Sequence, residues 1–267
     1  MINKQAIGIF DSGIGGLSVA KAINTLLPNE ALIYVADTHY APYGDKTDTF
    51  IYQRMRVITE QLIAFGAKAL VVACNTATTA AIDALRKEFS LPIIGVEPGV
   101  KPAVQVSESK IVGVLATPRT LLNPAFATLA QRFAAQASIL LQPCPLLVPM
   151  LEKMQVDAQS LEPVLKHYLA PLIEQGADTL VLGCTHYNFL AEQIASIAST
   201  LAGKEINIIR TEMAVAKQLQ HRLQHAEILN TALLANANIK LYSSGDLALF
   251  QRQVQHFWQT EATVLAL

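Results

Sequence analysis

Two cysteines carry the chemistry this sequence can do. Cys184 ends the apolar run Leu180–Gly183 and precedes Thr185, His186 and Tyr187, while Cys74 ends Leu70–Ala73 and precedes Asn75 and Thr76. They stand 184 − 74 = 110 positions apart, and at the same offset Leu62, Ile63, Gly66 and Ala67 correspond to Leu172, Ile173, Gly176 and Ala177. The chain therefore contains a two-fold internal repeat, each half of which presents one thiol. A free cysteine has a pKa of about 8.5, so little of it is ionised near neutrality. A cysteine just before a helix is helped by the N-terminal N–H groups, which favour the thiolate. Two thiols on opposite sides of a cleft suit one task, removing a proton from one face of a carbon and returning another to the opposite face. That is racemisation by two bases.

A single cysteine is more often a small buried apolar residue than a reagent. The duplication shifts that balance, because both thiols follow a strand and sit beside hydroxyl or amide groups where core packing would favour valine or alanine. Cys144, between Pro143 and Pro145 and without a counterpart, reads as structural. His186 could exchange a proton with Cys184 or fix its orientation, and Asp11 and Glu152 are the carboxylates to test as partners. Asp37, Asp45 and Glu97 lie in comparable turns, and periodicity does not rank them. Cations are few there: Arg119, Lys46 and Lys101. A substrate carboxylate would accordingly be held by Ser12, Asn75, Thr76, Thr185 and backbone N–H groups rather than by a bidentate arginine.

The elements that must position these groups alternate. Ile7–Phe10 is a short strand, followed by the glycine-rich turn Asp11–Gly16 and a helix with Val19, Ile23 and Leu26 on one face. The turn fails as a dinucleotide fingerprint, since G-x-G-x-x-G would require glycine at Ser18, and no Gly-Lys-Ser/Thr is present. Its N–H groups could instead hold a smaller anion such as a carboxylate. Leu32–Ala36 is a strand and Asp37–Lys46 a tyrosine-rich loop. Ile51, Met55, Ile58, Leu62 and Phe65 mark one face of a helix that Gly66 ends, then come the strand Ala69–Ala73, a helix through Ile82, Leu85 and Phe89, and the strand Ile93–Val96. Glu97–Pro102 is the best crossing between domains. The second half repeats the order with Ile111–Leu115, Ile139–Leu141, a helix through Leu161, Leu165, Tyr168 and Leu172, and strands at Leu180 onward, Ile206–Ile209 and Ile239–Tyr242. The fold class is α/β: two related domains, each a parallel sheet flanked by helices, with the site in the cleft between them.

Composition sets the outer limits. The 267 residues, 52% of them hydrophobic, can bury sizeable cores. A formal net charge of −1 offers no field for nucleic acid or anionic lipid, so the expected ligand is small. Apolar runs are shorter than the roughly 20 residues of a membrane helix, Met1–Ala6 lacks the core of a signal peptide, and a cytoplasmic location is expected. Three cysteines argue against a disulfide framework, and His221 and His225, four apart without a neighbouring cysteine, do not make a structural zinc site.

Five motifs, in order, resemble those of glutamate racemases in the aspartate/glutamate racemase superfamily: Phe10–Leu17, Tyr40–Gly44, Ala73–Ala77, Glu97-Pro98 and Gly183–Tyr187. The resemblance implies racemisation of glutamate without pyridoxal phosphate or metal, supplying D-glutamate for peptidoglycan. Cys74 would take the proton from D-glutamate and Cys184 from L-glutamate, Asp11 assisting the first thiol and Glu152 and His186 the second. Substrate contacts are implied for Asp11, Ser12, Pro42, Tyr43, Gly44, Asn75, Thr76, Thr117, Thr120 and Thr185. It also implies that the C-terminal segment returns to the first domain, giving 1–98 plus 211–267 and 99–210. Glutamate is the expected partner, with neither nucleic acid nor membrane, and a homodimer is the assembly considered. Ala116 stands where many members have glycine, and Asn123–Phe126 lacks a serine and tyrosine common there, which affects packing around Thr120. With its first strand so near the start, the chain is expected to lack the extension through which some members respond to a cell-wall precursor. Two other readings fit the residues: a racemase of aspartate or another acidic amino acid, and an amino-acid-binding protein that converts nothing.

Overall fold

A computed structural model describes residues 5–231, 239–260 and 262–267. Met1–Lys4 of the opening stretch lie outside the described residues, as do 232–238 and 261 of the segment expected to return to the first domain. The chain runs β1 (Ala6–Asp11), α1 (Leu17–Leu26), β2 (Leu32–Ala36), α2 (Asp48–Ala64), β3 (Ala67–Val72), α3 (Asn75–Glu88) and β4 (Ile93–Gly95). It continues with α4 (Val100–Val106), β5 (Ile111–Ala116), α5 (Pro118–Leu122), α6 (Pro124–Gln131), β6 (Ser138–Pro143), α7 (Leu147–Glu152), α8 (Ala158–Glu174), β7 (Thr179–Leu182), α9 (Ala191–Ala202) and β8 (Asn207–Ile209). Then come α10 (Glu212–His225), β9 (Ile239–Ser243), α11 (Leu247–Phe257) and β10 (Val264–Ala266). Two compact units result, one of Met1–Val96 with Glu212–Leu267, the other of Glu97–Thr211.

Both sheets are parallel. The first unit has the order β10-β9-β2-β1-β3-β4, and the second β6-β5-β7-β8. Strand for strand, β2-β1-β3-β4 corresponds to β6-β5-β7-β8, while β9 and β10 extend the first sheet at its β2 edge. β1, β3 and β7 are buried along their whole length, which is why they read as nearly continuous apolar runs rather than alternating ones.

The repeat also fixes how the long helices end. Gly66 follows α2 with φ +90°, and Gly176, its counterpart, follows α8 with φ +88°. Glycine takes these angles without a Cβ penalty, so the chain can turn at once into β3 or β7. The same helices begin alike: Thr47 accepts from the Phe50 N–H and Asp157 from the Ser160 N–H. Ile51, Met55, Ile58 and Leu62 are buried on α2 as the periodicity predicts, as are Leu161, Leu165, Tyr168 and Leu172 on α8. Phe65 departs from the pattern. It lies at the helix end, largely exposed, with its ring stacked on Tyr242 at 5.0 Å.

A buried polar cluster ties the returning segment to the first sheet. Lys68 Nζ is 2.7 Å from Glu30 Oε2 and donates to the Ile228 carbonyl at 2.7 Å. Glu30 also accepts from the Asn230 backbone N–H at 2.8 Å and from its Nδ2 at 2.9 Å. β9 then pairs with β2 from Leu32↔Ile239 to Ala36↔Ser243. Among the described residues no helix is long and apolar enough to cross a membrane.

Candidate active site

Ligands of open parallel sheets bind beyond the carboxyl ends of the strands, where the strand order reverses. In the first unit the reversal falls between β1 and β3, and in the second between β5 and β7. Asp11 ends β1 and Cys74 stands 74 − 72 = 2 residues beyond β3; Thr117 follows β5 and Cys184 stands 184 − 182 = 2 residues beyond β7. The repeat has therefore delivered each thiol to the equivalent place in its own unit.

Beside Cys74 the contacts are hydroxyl and backbone. Its Sγ caps α3 by accepting from the Ala77 N–H at 3.4 Å, a bond that a thiolate accepts better than a thiol, and lies 3.7 Å from Ser12 Oγ. Ser12 Oγ in turn donates to Asp11 Oδ1 at 3.3 Å. The glycine-rich turn proves partly occupied by the chain itself. Asp11, wholly buried, accepts from the Ser12 N–H at 2.7 Å and from the Gly16 N–H at 2.5 Å, so these two amides hold its carboxylate rather than a ligand's. A Cβ on Gly16 would come within 2.8 Å of Asp11 Cβ and 2.9 Å of Ala73 Cβ, which explains the glycine. Asn75 and Thr76 open α3 and are buried. Asn75 Nδ2 donates to the Val96 carbonyl at 3.1 Å while its buried Oδ1 has no hydrogen-bond partner among the described residues, so the amide keeps capacity for a ligand.

Around Cys184 the arrangement is ionisable. Cys184 Sγ lies 3.7 Å from His186 Nδ1, and His186 Nε2 lies 2.6 Å from Glu152 Oε1 at the end of α7. Burial opposes charge on His186, yet the contacts with Cys184 and Glu152 outweigh it and raise the imidazole well above its ordinary value. The element after Cys184 is a 3-10 turn, Thr185–Leu190, that leads into α9, rather than an α-helix starting at once. Thr185 is buried. Thr117 accepts from the Thr120 N–H at 3.3 Å, with their hydroxyls 3.0 Å apart and Thr120 wholly buried. Cys144 is packed: its S–H donates to the Gln142 carbonyl at 3.4 Å, burial pushes its thiol up, and Tyr187 O–H donates to its carbonyl at 3.1 Å.

The loop Asp37–Lys46 forms two short 3-10 turns, Thr38–Tyr40 and Tyr43–Asp45, flanking Ala41-Pro42. Tyr43, which opens the second turn, is buried, Pro42 and Gly44 less so. Its phenol is pushed far up by burial first and then by Asp37, with Cys74 close enough to add to the effect. Lys46 lies over the Phe50 ring at 5.8 Å. One residue of this region escaped notice in the sequence, and another could not be ranked there. Asp37 is wholly buried, and Arg54 of α2 pairs with it. No motif or spacing marks Arg54, which only tertiary structure brings to the loop. Among the described residues no cluster of three or more His, Cys, Asp and Glu is arranged to hold a metal ion.

A model of the Asp/Glu/hydantoin racemase family matches residues 7–219. A glutamate racemase of Ectopseudomonas mendocina is 48% identical over 250 residues, 93% of this chain and 93% of its own. Among solved structures, a glutamate racemase isoform from Bacillus anthracis has a TM-score of 0.87 at 30% identity, covering 99% of this chain and 98% of that one. A glutamate racemase from Francisella tularensis, solved in complex with D-glutamate, has a TM-score of 0.84 at 30% identity, covering 100% and 98%. With the model spanning most of its length, the chain belongs to the Asp/Glu/hydantoin racemase family.

Proposed function

We propose that this isomerase interconverts L- and D-glutamate without a cofactor, with Cys74 and Cys184 as its two bases. The Cys184 thiolate takes the α-proton of L-glutamate and the Cys74 thiol gives its own to the opposite face; the reverse begins with Cys74 and D-glutamate. One C–H bond breaks and one forms, and the thiols exchange protonation states. Asp11 acts on the first thiol through Ser12, while Glu152 and His186 act on the second. Asn75, Thr76, Thr117, Thr120, Thr185 and the Pro42–Tyr43–Gly44 loop would hold the substrate. In the cell the product would supply peptidoglycan synthesis in the cytoplasm.

The observation that carries this reading is the duplication itself: each unit presents a buried thiol at the same distance past the equivalent strand. Binding alone needs no matched pair of acid/base groups. The preference for glutamate over aspartate rests on the similarity to glutamate racemases, at 48% identity for the Ectopseudomonas enzyme. Incubation with L-glutamate in heavy water, following optical rotation and deuterium at the α-carbon, tests it. Loss of rotation with deuterium uptake is expected; the absence of both would sink the proposal, and faster turnover of aspartate would redirect it to the sister reaction.

A further inference from the structure

We propose that Arg54 and Asp37 are positioning residues that hold the Pro42–Tyr43–Gly44 loop in place for the substrate. The proposal rests on the glutamate reading of this site and extends it to two residues outside every motif. A buried carboxylate is stable only when its charge is paired and its oxygens are hydrogen-bonded. Asp37 meets both conditions. Arg54 Nε donates to Oδ2 at 2.9 Å and Nη2 to Oδ1 at 2.8 Å, a two-pronged contact that lysine cannot reproduce. The Tyr43 O–H donates to the same Oδ2 at 2.6 Å. The guanidinium also covers the Tyr40 ring, 3.9 Å from its centroid. One cation thus fixes a residue on each side of Pro42.

The anchor reaches the first half-site as well. The Asp37 backbone N–H donates to the Asp11 carbonyl at 2.9 Å, so the loop begins against the residue that contacts Ser12. The start of the loop is held separately, by Thr38 bonded to Ser243 at 2.7 Å and by the His39 N–H on Ser244 at 3.1 Å. The end bearing Tyr43 hangs on Asp37. Because the Tyr43 hydroxyl is donated to a carboxylate, the residue offers a ligand its ring and backbone rather than an acid. Both oxygens of Asp37 are engaged by Arg54 and Tyr43.

Steady-state kinetics with both enantiomers separates positioning from catalysis. Arg54→Met should raise KM about tenfold for L- and D-glutamate with kcat within about threefold, the signature of lost uniform binding. Arg54→Lys should recover part of that loss, and Tyr43→Phe, which leaves the ion pair intact, should raise KM less. Unchanged KM in a folded Arg54→Met would overturn the proposal, as would a fall in kcat with a shifted pH profile in Asp37→Asn. If Arg54→Met does not fold, unchanged KM in both Arg54→Lys and Tyr43→Phe overturns it. A wild type without racemisation defeats the glutamate reading itself, which the variants are not needed to show.

Discussion

At Cys184 the thiol faces an imidazole that Glu152 holds from the other side, whereas at Cys74 it faces a hydroxyl that Asp11 holds. The two half-sites are therefore related in backbone but not in the groups that face the thiol. Since the folded-state value of His186 lies above its ordinary one, the protonated imidazole stabilises the fold fully below about pH 6.5, and that contribution disappears as pH rises through the raised value. Thermal melts of wild type and His186→Gln should differ more near pH 6 than in alkaline solution; a constant difference would contradict the assigned charge. The pairing of His186 with Cys184 was legible because they stand two positions apart in the sequence. Glu152 was legible as a carboxylate to test but was assigned to the second thiol only by resemblance, and the Asp37–Arg54 pair was not legible at all, since its partners are 54 − 37 = 17 residues apart on different elements.

Strands and helix ends were legible where a local cause fixes them. Leu32–Ala36 is a strand at the residues its apolar run predicts, and Gly66 and Gly176 end α2 and α8 because the chain there needs a positive φ. β10, three partly exposed residues at a sheet edge, has neither alternation nor length to announce it. The approach to β7 depends on Asp178, which accepts from Ser107 Oγ at 2.7 Å, from the Glu108 and Ser109 N–H groups at 2.8 and 2.6 Å, and from Thr179 Oγ1 at 2.9 Å. Burial would raise its pKa, but these donors lower it to about 2. A depressed value means that the stabilisation is present above the unfolded value of about 3.9 and is lost as pH falls toward 2. Asp178→Asn should cost about 1–3 kcal/mol at neutral pH. Between about pH 5 and 2 it should lose less further stability than wild type, as followed by urea midpoints. Parallel pH curves would count against it.

Over the whole molecule, duplication gives two four-stranded parallel sheets of one order, and only the first is extended by strands from the C-terminal segment. That return came from family likeness rather than from pattern, because the Glu30–Lys68–Asn230 cluster joins residues 230 − 30 = 200 positions apart. Lys68→Met would leave Glu30 charged and buried, at a cost of about 3–5 kcal/mol, readable by denaturant titration. Glu30→Gln with Lys68→Met together should recover much of it, and an equal loss in the double variant would show the charge pair to be incidental. The central claim is that one thiol from each unit serves one face of the α-carbon. Its most direct test is racemisation by Cys74→Ala and Cys184→Ala, each started from L- and from D-glutamate. Both variants should lose about a hundredfold or more in either direction, because inversion needs a base on one face and an acid on the other; wild-type racemisation by either variant would contradict the two-base account.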